Sequence, residues 1–306
     1  MHPSLRGYTT AVLGDSAGEP TGARVADEVN AVHHLVSRTN DLAVALTDFA
    51  VPLPARLAVL RELLGTRVDP IVLRLVLRAV QTERPEELPT VLHELYEFSR
   101  HLHEFGPDEL RAEEPRMSRT AWREYAAGFA AAVFEGIEET AEIEEIEDEL
   151  FRLTRIVESS PALRSALSDP SSPPAARQTL LGELIRGKVR PATMRLVAVL
   201  LEGHVRDLVA SMDWLVEQAA QARGWRVARV RAARPIDEDE QRGLTTAMEH
   251  LTNQPVELQV TVDAELLGGA VIQIGNLLVD ASARHRLEQL HEHLLGTEGT
   301  TRGALN

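Results

Sequence analysis

The chain repeats itself. Displaced by 121 positions, Leu42 falls on Leu163, Leu46 on Leu167, Asp48 on Asp169, Pro52 on Pro173, Arg56 on Arg177, Leu60 on Leu181 and Pro70 on Pro191, and Arg74-Leu-Val falls on Arg195-Leu-Val. Positions 42–76 contain 15 identities with no gap, where ordinary composition would give roughly two or three by chance. Upstream, Val25, Val29, Val32 and Val36 meet Ile146, Leu150, Leu153 and Val157. With a short gap, Arg6 and Tyr8 can be laid on Arg123 and Tyr125. A chain that repeats at this length is built from two copies of one domain, so whatever the first copy folds into the second must also fold into.

The repeated unit reads as helices. The expected segments in the first copy are Leu5–Leu13, Arg24–Arg38, Asp41–Thr47, Pro54–Leu64, Pro70–Gln81 and Glu86–Glu104, separated by Pro, Gly or Asp and without clean alternation. Val25, Val29, Val32 and Val36 step four, three, four and share one face. From Phe105 to Thr120 the apolar period stops, as expected of a solvated linker. After Gly224 the texture changes. Trp225–Arg231 and Val256–Val262 read as strands and Pro235–Leu251 as a helix between them. Ala270–Ile274, a Gly275-Asn276 turn and Leu277–Val279 read as a hairpin entered through Gly268-Gly269. A last helix is expected with Asp280 or Ser282 at its start and Leu287, Leu290 and Leu294 on one face. The fold class is therefore mainly α with a small α/β module. Its expected divisions are a first bundle over 1–106, a linker over 107–120, a second bundle over 121–223, the α/β module over 224–296 and a tail over 297–306.

Composition excludes several functions. A formal net charge of −15 argues against nucleic acid, whose phosphates need a basic face, and against anionic lipid. The chain has no cysteine, which removes disulfides, thiolate metal sites and a thiol nucleophile. The weakly polar run Ala126–Phe134 falls far short of the roughly 20 residues of a membrane span, so no direct membrane insertion is expected, and no signal peptide is visible. His101-x-His103 and His291-x-His293 have a spacing that splits their rings across a helix, so no metal site is expected. No phosphate-binding glycine loop and no nucleophile elbow occur; catalytic, cofactor and metal residues are expected to be none. Glu135–Glu149 carries nine acids and no base. Ile143, Ile146, Leu150, Leu153 and Val157 run through the same segment at steps of three and four, which makes the acids the solvated face of a packed helix.

Two stretches carry a family resemblance. Gly268-Gly269, Ile272-x-Ile274-Gly275, Asp280-x-Ser282 and Arg286-Leu287 resemble the C-terminal signature of the delta subunit of F-type ATP synthases, whose mitochondrial counterpart is the oligomycin sensitivity conferral protein. Arg123-Glu-Tyr-Ala-Ala-Gly-Phe129, Leu163-x-x-x-Leu167-Ser-Asp-Pro and Arg177-x-x-Leu-Leu-x-x-Leu184 resemble the N-terminal helical domain of the same family, of which some bacterial members carry an extra copy. The resemblance implies a non-catalytic stator connector, held at the cytoplasmic face of the plasma membrane through the complex. It implies two partners: N-terminal helices of the alpha subunits for the helical domain, and the b subunit of the peripheral stalk for the C-terminal module. The residues it points to are Tyr125 and Phe129, on the opening helix of the second copy, and Gly268, Gly269, Ile272 and Asp280 in the hairpin. The rival reading is a helical scaffold or adaptor unrelated to the synthase.

Overall fold

The computed structural model describes residues 1–280 apart from 15–17, 114–116, 204–207, 225, 253–254, 264–265, 267 and 275–276. The expected Gly275-Asn276 turn, Ser282, Arg286 and the last helix lie outside the described residues. Two compact units emerge, Met1–Gln218 and Ala219 onward.

In the first unit the helices are α1 (Pro3–Leu13), α2 (Pro20–Arg38), α3 (Asn40–Thr47), α4 (Leu53–Leu64), α5 (Pro70–Thr82), a 3-10 turn at Pro85–Glu87 and α6 (Leu88–Glu113). They are followed by α7 (Arg119–Glu135), α8 (Thr140–Ser159), α9 (Pro161–Ser168), α10 (Pro174–Ile185), α11 (Pro191–Glu202) and α12 (Leu208–Ala222), whose last turn belongs to the second unit. Adding 121 to α3 and α4 reproduces α9 and α10 residue for residue, so the duplication governs the helix boundaries as well as the identities. Proline sets many of the starts: Pro3, Pro20, Pro70, Pro161, Pro174 and Pro191 each open a helix, where the missing N–H leaves no donor unsatisfied. Val25, Val29, Val32 and Val36 are buried along α2, and Ile143, Ile146, Leu150, Leu153 and Val157 along α8.

The copies also share a polar bond that apolar periodicity does not reveal. Glu28 accepts the Asp69 backbone N–H at the start of α5 (2.6 Å), and Glu149, 121 positions on, accepts the Arg190 N–H at the start of α11 (2.9 Å). Each carboxylate satisfies an amide that a helix start leaves without a partner.

The expected linker is largely helical. Gly106 adopts φ 79°, ψ 169° ahead of Pro107, which breaks α6, yet the helix resumes through Glu113. Pro-Asp-Glu-Leu-Arg-Ala-Glu restarts it readily, since Glu, Leu, Arg and Ala are strong helix formers and a proline suits a first turn. Ser118 then caps α7, its side chain accepting from the Ala121 N–H.

In the second unit β1 (Arg226–Ala232), α13 (Glu238–Thr252), β2 (Val256–Val262), β3 (Ala270–Ile274) and β4 (Leu277–Asp280) form a sheet of order β2-β1-β3-β4. β1 and β2 are parallel with α13 as the crossover, whereas β1–β3 and β3–β4 are antiparallel. In β1, Val230 stands opposite Val260 on one side and Ile272 on the other. Ala228, Val230, Ala232, Val256, Ile272 and Met248 make the core, with Ile236, Leu244 and Leu258 packed against it. Arg229 and Arg231 point the other way, as period-two alternation requires.

Candidate partner-binding interfaces

The opening helices of the two copies pack on each other, and the contact is symmetric in the repeat. A Cβ built on Gly7 would lie 1.9 Å from the Tyr125 carbonyl oxygen; one built on Gly128 would lie 1.7 Å from the Ser4 carbonyl oxygen. Gly7 and Gly128 are 121 apart, and so are Ser4 and Tyr125. α1 and α7 run in the same direction, with His2 beside Glu124 (3.6 Å) near one end and Tyr8 bonded to Glu135 (2.5 Å) towards the other. The backbones touch without intervening side chains, a separation only glycine permits.

The arginines repeat the symmetry. Arg74 lies over the Tyr8 ring and donates to the Ala132 carbonyl (3.4 Å); Arg195 lies over the Phe129 ring and donates to the Ala11 carbonyl (2.5 Å). Arg74 and Arg195, Tyr8 and Phe129, and Ala11 and Ala132 are each 121 apart. The opening helices therefore match without a gap, and the gapped pairing of Arg6 and Tyr8 with Arg123 and Tyr125 is corrected: the seam equates small residues that must occupy equivalent places, and the shared Arg and Tyr are coincidental.

One polar cluster breaks the symmetry. The Tyr8 hydroxyl donates to Glu135 and accepts from Arg74 Nε (3.3 Å), while Arg78 lies over the Tyr8 ring and pairs with Glu135 at 4.0 Å. Burial, followed by the bond to Glu135, pushes the Tyr8 phenol up to about 12, since both disfavour a second negative charge there. The positions equivalent to Tyr8, Arg78 and Glu135 are Phe129, Val199 and Gly14, so the other half of the seam has no counterpart. Part of the acidic run is thus spent inside the chain: Glu135 here, Glu149 at the start of α11, and Glu142 and Glu145 on Arg190.

Tyr125 and Phe129 lie in this seam, 4% and 7% exposed, with Trp122 against the Tyr125 ring at 5.0 Å. The hairpin residues lie together in the other unit. Gly269 has φ 79° and its carbonyl accepts the Ala233 N–H (3.1 Å), so the strand entry uses a backbone conformation that side chains resist. Gly268 precedes it half-buried, Ile272 is 3% exposed in the core, and Asp280 stands opposite Val271 at the end of β4. Apolar periodicity gives no sign of Arg177, which is 4% exposed and donates to the carbonyls of Leu201, Asp169 and Ser172, tying the α9–α10 corner to the end of α11. Its identity with Arg56 across the repeat was the available signal. Among the described residues no helix is long and apolar enough to cross a membrane.

A duplicated helical unit followed by a small mixed sheet with a glycine-entered hairpin defines a class, the tandem-bundle proteins with a C-terminal α/β module. Residues 126–294 match the family described as ATP synthase delta (OSCP) subunit. The chain is 32% identical over 308 aligned residues to "ATP synthase subunit delta" of Frankia alni, covering 95% of this chain and 98% of that one. It is also 32% identical to the protein of the same name in Frankia casuarinae (89% and 88% covered), and 39% identical to that of Salinispora arenicola (54% and 60% covered). The chain belongs to the ATP synthase delta (OSCP) subunit family, a family of peripheral-stalk subunits.

Proposed function

We propose that the chain is the stator connector of a proton-translocating F-type ATP synthase, joining the alpha subunits of the catalytic head to the b stalk at the cytoplasmic face of the plasma membrane. The observation that carries this reading is the similarity to proteins named ATP synthase subunit delta along nearly the whole chain, both helical copies included. The physical task is to resist torque: a shaft turning inside the head drags the head with it unless an outer joint holds it. A joint needs two binding surfaces and stiffness between them. No chemistry is needed, and the chain acts as a non-catalytic subunit. The α1–α7 seam supports the stiffness, because backbones in direct contact leave little room to slide.

In this proposal the helical unit takes amphipathic N-terminal segments of the alpha subunits, and the hairpin with Gly268, Gly269, Ile272 and Asp280 takes the end of the b subunit. Gly269 and Ile272 serve by holding the hairpin's shape, since one fixes the strand entry and the other fills the core. Tyr125 and Phe129 act from within the seam, so an alpha-subunit helix that uses their rings has to displace α1. Deleting Ala264–Asn306 is the test. Loss of b-subunit binding with unchanged helical circular dichroism supports the assignment, and retained binding overturns it.

A further inference from the structure

The duplication supplies an internal control, since two copies of one fold that join corresponding helices by different chemistry differ in what that joint responds to. In the first copy α2 packs on α6, and three imidazoles meet there. The His33 ring lies 5.2 Å from that of His34 and, across the helix boundary, 5.3 Å from that of His93, with the Tyr96 ring 6.2 Å from His93. The residues of α8 equivalent to His33 and His34 are Thr154 and Arg155. Thr154 is buried with its hydroxyl donating to the Leu150 carbonyl (2.7 Å), and Arg155 joins α8 to α12 by an ion pair with Asp213 (2.7 Å). An arginine–aspartate pair keeps its charges between roughly pH 5 and 8, whereas imidazoles change theirs.

His33 is half-buried, while His34 and His93 are exposed. The Nδ1 atom of His33 is sealed from solvent with no hydrogen-bond partner among the described residues. A protonated imidazole carries an N–H donor on both nitrogens, so charging His33 leaves a buried donor unmet. Its neighbours add to that cost. The ionisable groups acting on His33 are His93 and His34, both cations once protonated, and α3 and α5, which also pack on α2, add none among the described residues. Burial first, and those two rings next, hold the His33 imidazole below its ordinary range. Glu97, a turn beyond His93 on α6, acts on His93 and His101, but its carboxylate is taken by Arg100 (2.9 Å), which also binds Glu104 (2.9 Å).

We propose that the His33–His34–His93 cluster is an acid-sensitive catch between α2 and α6: neutral rings let the two helices pack, and protonation in mild acid sets like charges side by side and loosens α2, while the second copy keeps its ion pair. His33 takes its proton less readily in the folded chain than in the unfolded one. The joint is therefore fully stable above the ordinary imidazole pKa of about 6.5 and loses stability as pH falls below it. The catch belongs to the free chain and holds whether or not the chain joins the synthase; under the connector reading it makes the first copy the part of the joint that softens in acid.

Amide hydrogen exchange of the free full-length chain at about pH 7.5 and about pH 5, corrected for the intrinsic pH dependence of exchange, is the test. Protection in α2 should fall about tenfold between the two, the equivalent of one pKa unit summed over the three rings, while protection in α8 holds. His34→Gln combined with His93→Gln, both at exposed positions, should keep the parent's protection at neutral pH and remove most of its loss in acid. In an imidazole NMR titration the His33 midpoint should move up when its two neighbours are replaced. Equal loss in α2 and α8, an acid response that survives in the double variant, or a His33 midpoint that stays in place overturns the proposal. Low protection of the double variant at neutral pH overturns it too, because the rings would then hold α2 by packing and not through their charge.

Discussion

Glycine in a helix interior is ordinarily a weakness, and replacing it with alanine stabilises a helix by roughly 0.5–1 kcal/mol. At Gly7 and Gly128 the seam reverses that sign. An alanine methyl would sit 1.9 Å or 1.7 Å from a carbonyl oxygen of the facing helix, against the 3.4 Å at which ordinary contact begins, so α1 and α7 must separate by about 1.5 Å. A gap of 0.5–1 Å already forfeits about a quarter to a half of a dispersion contact. Leu5, Tyr8, Tyr125 and Phe129, all buried near this crossing, would lose contacts together. Overpacking of this kind costs about 1–3 kcal/mol, and here the neighbour is backbone and cannot rotate away. We expect Gly7→Ala and Gly128→Ala each to lower the thermal midpoint by several degrees, at roughly 2–4 °C per kcal/mol for a unit of this size. Gly182, inside α10 with nothing within 4 Å of its added Cβ, is the control: Gly182→Ala should raise the midpoint. If all three substitutions stabilise alike, the backbone contact between the copies does not exist.

Arg177→Ala should cost about 2–4 kcal/mol in chemical denaturation by stranding three carbonyls, whereas Arg56→Ala, whose Nε has no acceptor among the described residues, should leave the free chain within about 0.5 kcal/mol of the parent. Gly269→Ala should destabilise the α/β module by roughly 1–2 kcal/mol because φ 79° disfavours any side chain, read as faster amide hydrogen exchange in β1 and β3. Tyr8 has a folded pKa near 12, above the ordinary 10, so the folded state holds this proton more tightly than the unfolded chain does. Its contribution to stability is complete below pH 10 and is lost between pH 10 and 12. An absorbance titration at alkaline pH should show one late-titrating phenol that disappears in Tyr8→Phe.

The helical copies were legible because helix starts, apolar steps and charged caps recur at one displacement, and positions such as Arg56 and Arg177 or Leu46 and Leu167 leave no choice of register. The match between the opening helices was not legible. The seam asks only for small residues at 7, 11, 128 and 132, and Gly and Ala are too common to identify a pairing, while the more conspicuous Tyr8 corresponds to Phe129. The burial of Tyr125 and Phe129 against another helix of the same chain follows from that pairing, and no single-helix pattern contains it. The linker was read from a break in apolar period, but Gly106 and Pro107 interrupt α6 only locally and the helix resumes after them through Glu113. In the α/β module, alternation located the strands, while the mixed order β2-β1-β3-β4 depends on the crossover through α13.

The connector reading stands or falls on assembly. A tagged full-length chain expressed in its own cells and recovered from detergent-solubilised membranes should bring down alpha, beta and b subunits together in stoichiometric amounts, and the chain lacking Ala264–Asn306 should lose the b subunit. Recovery of the full-length chain without synthase subunits, under conditions that keep the enzyme intact, would contradict it.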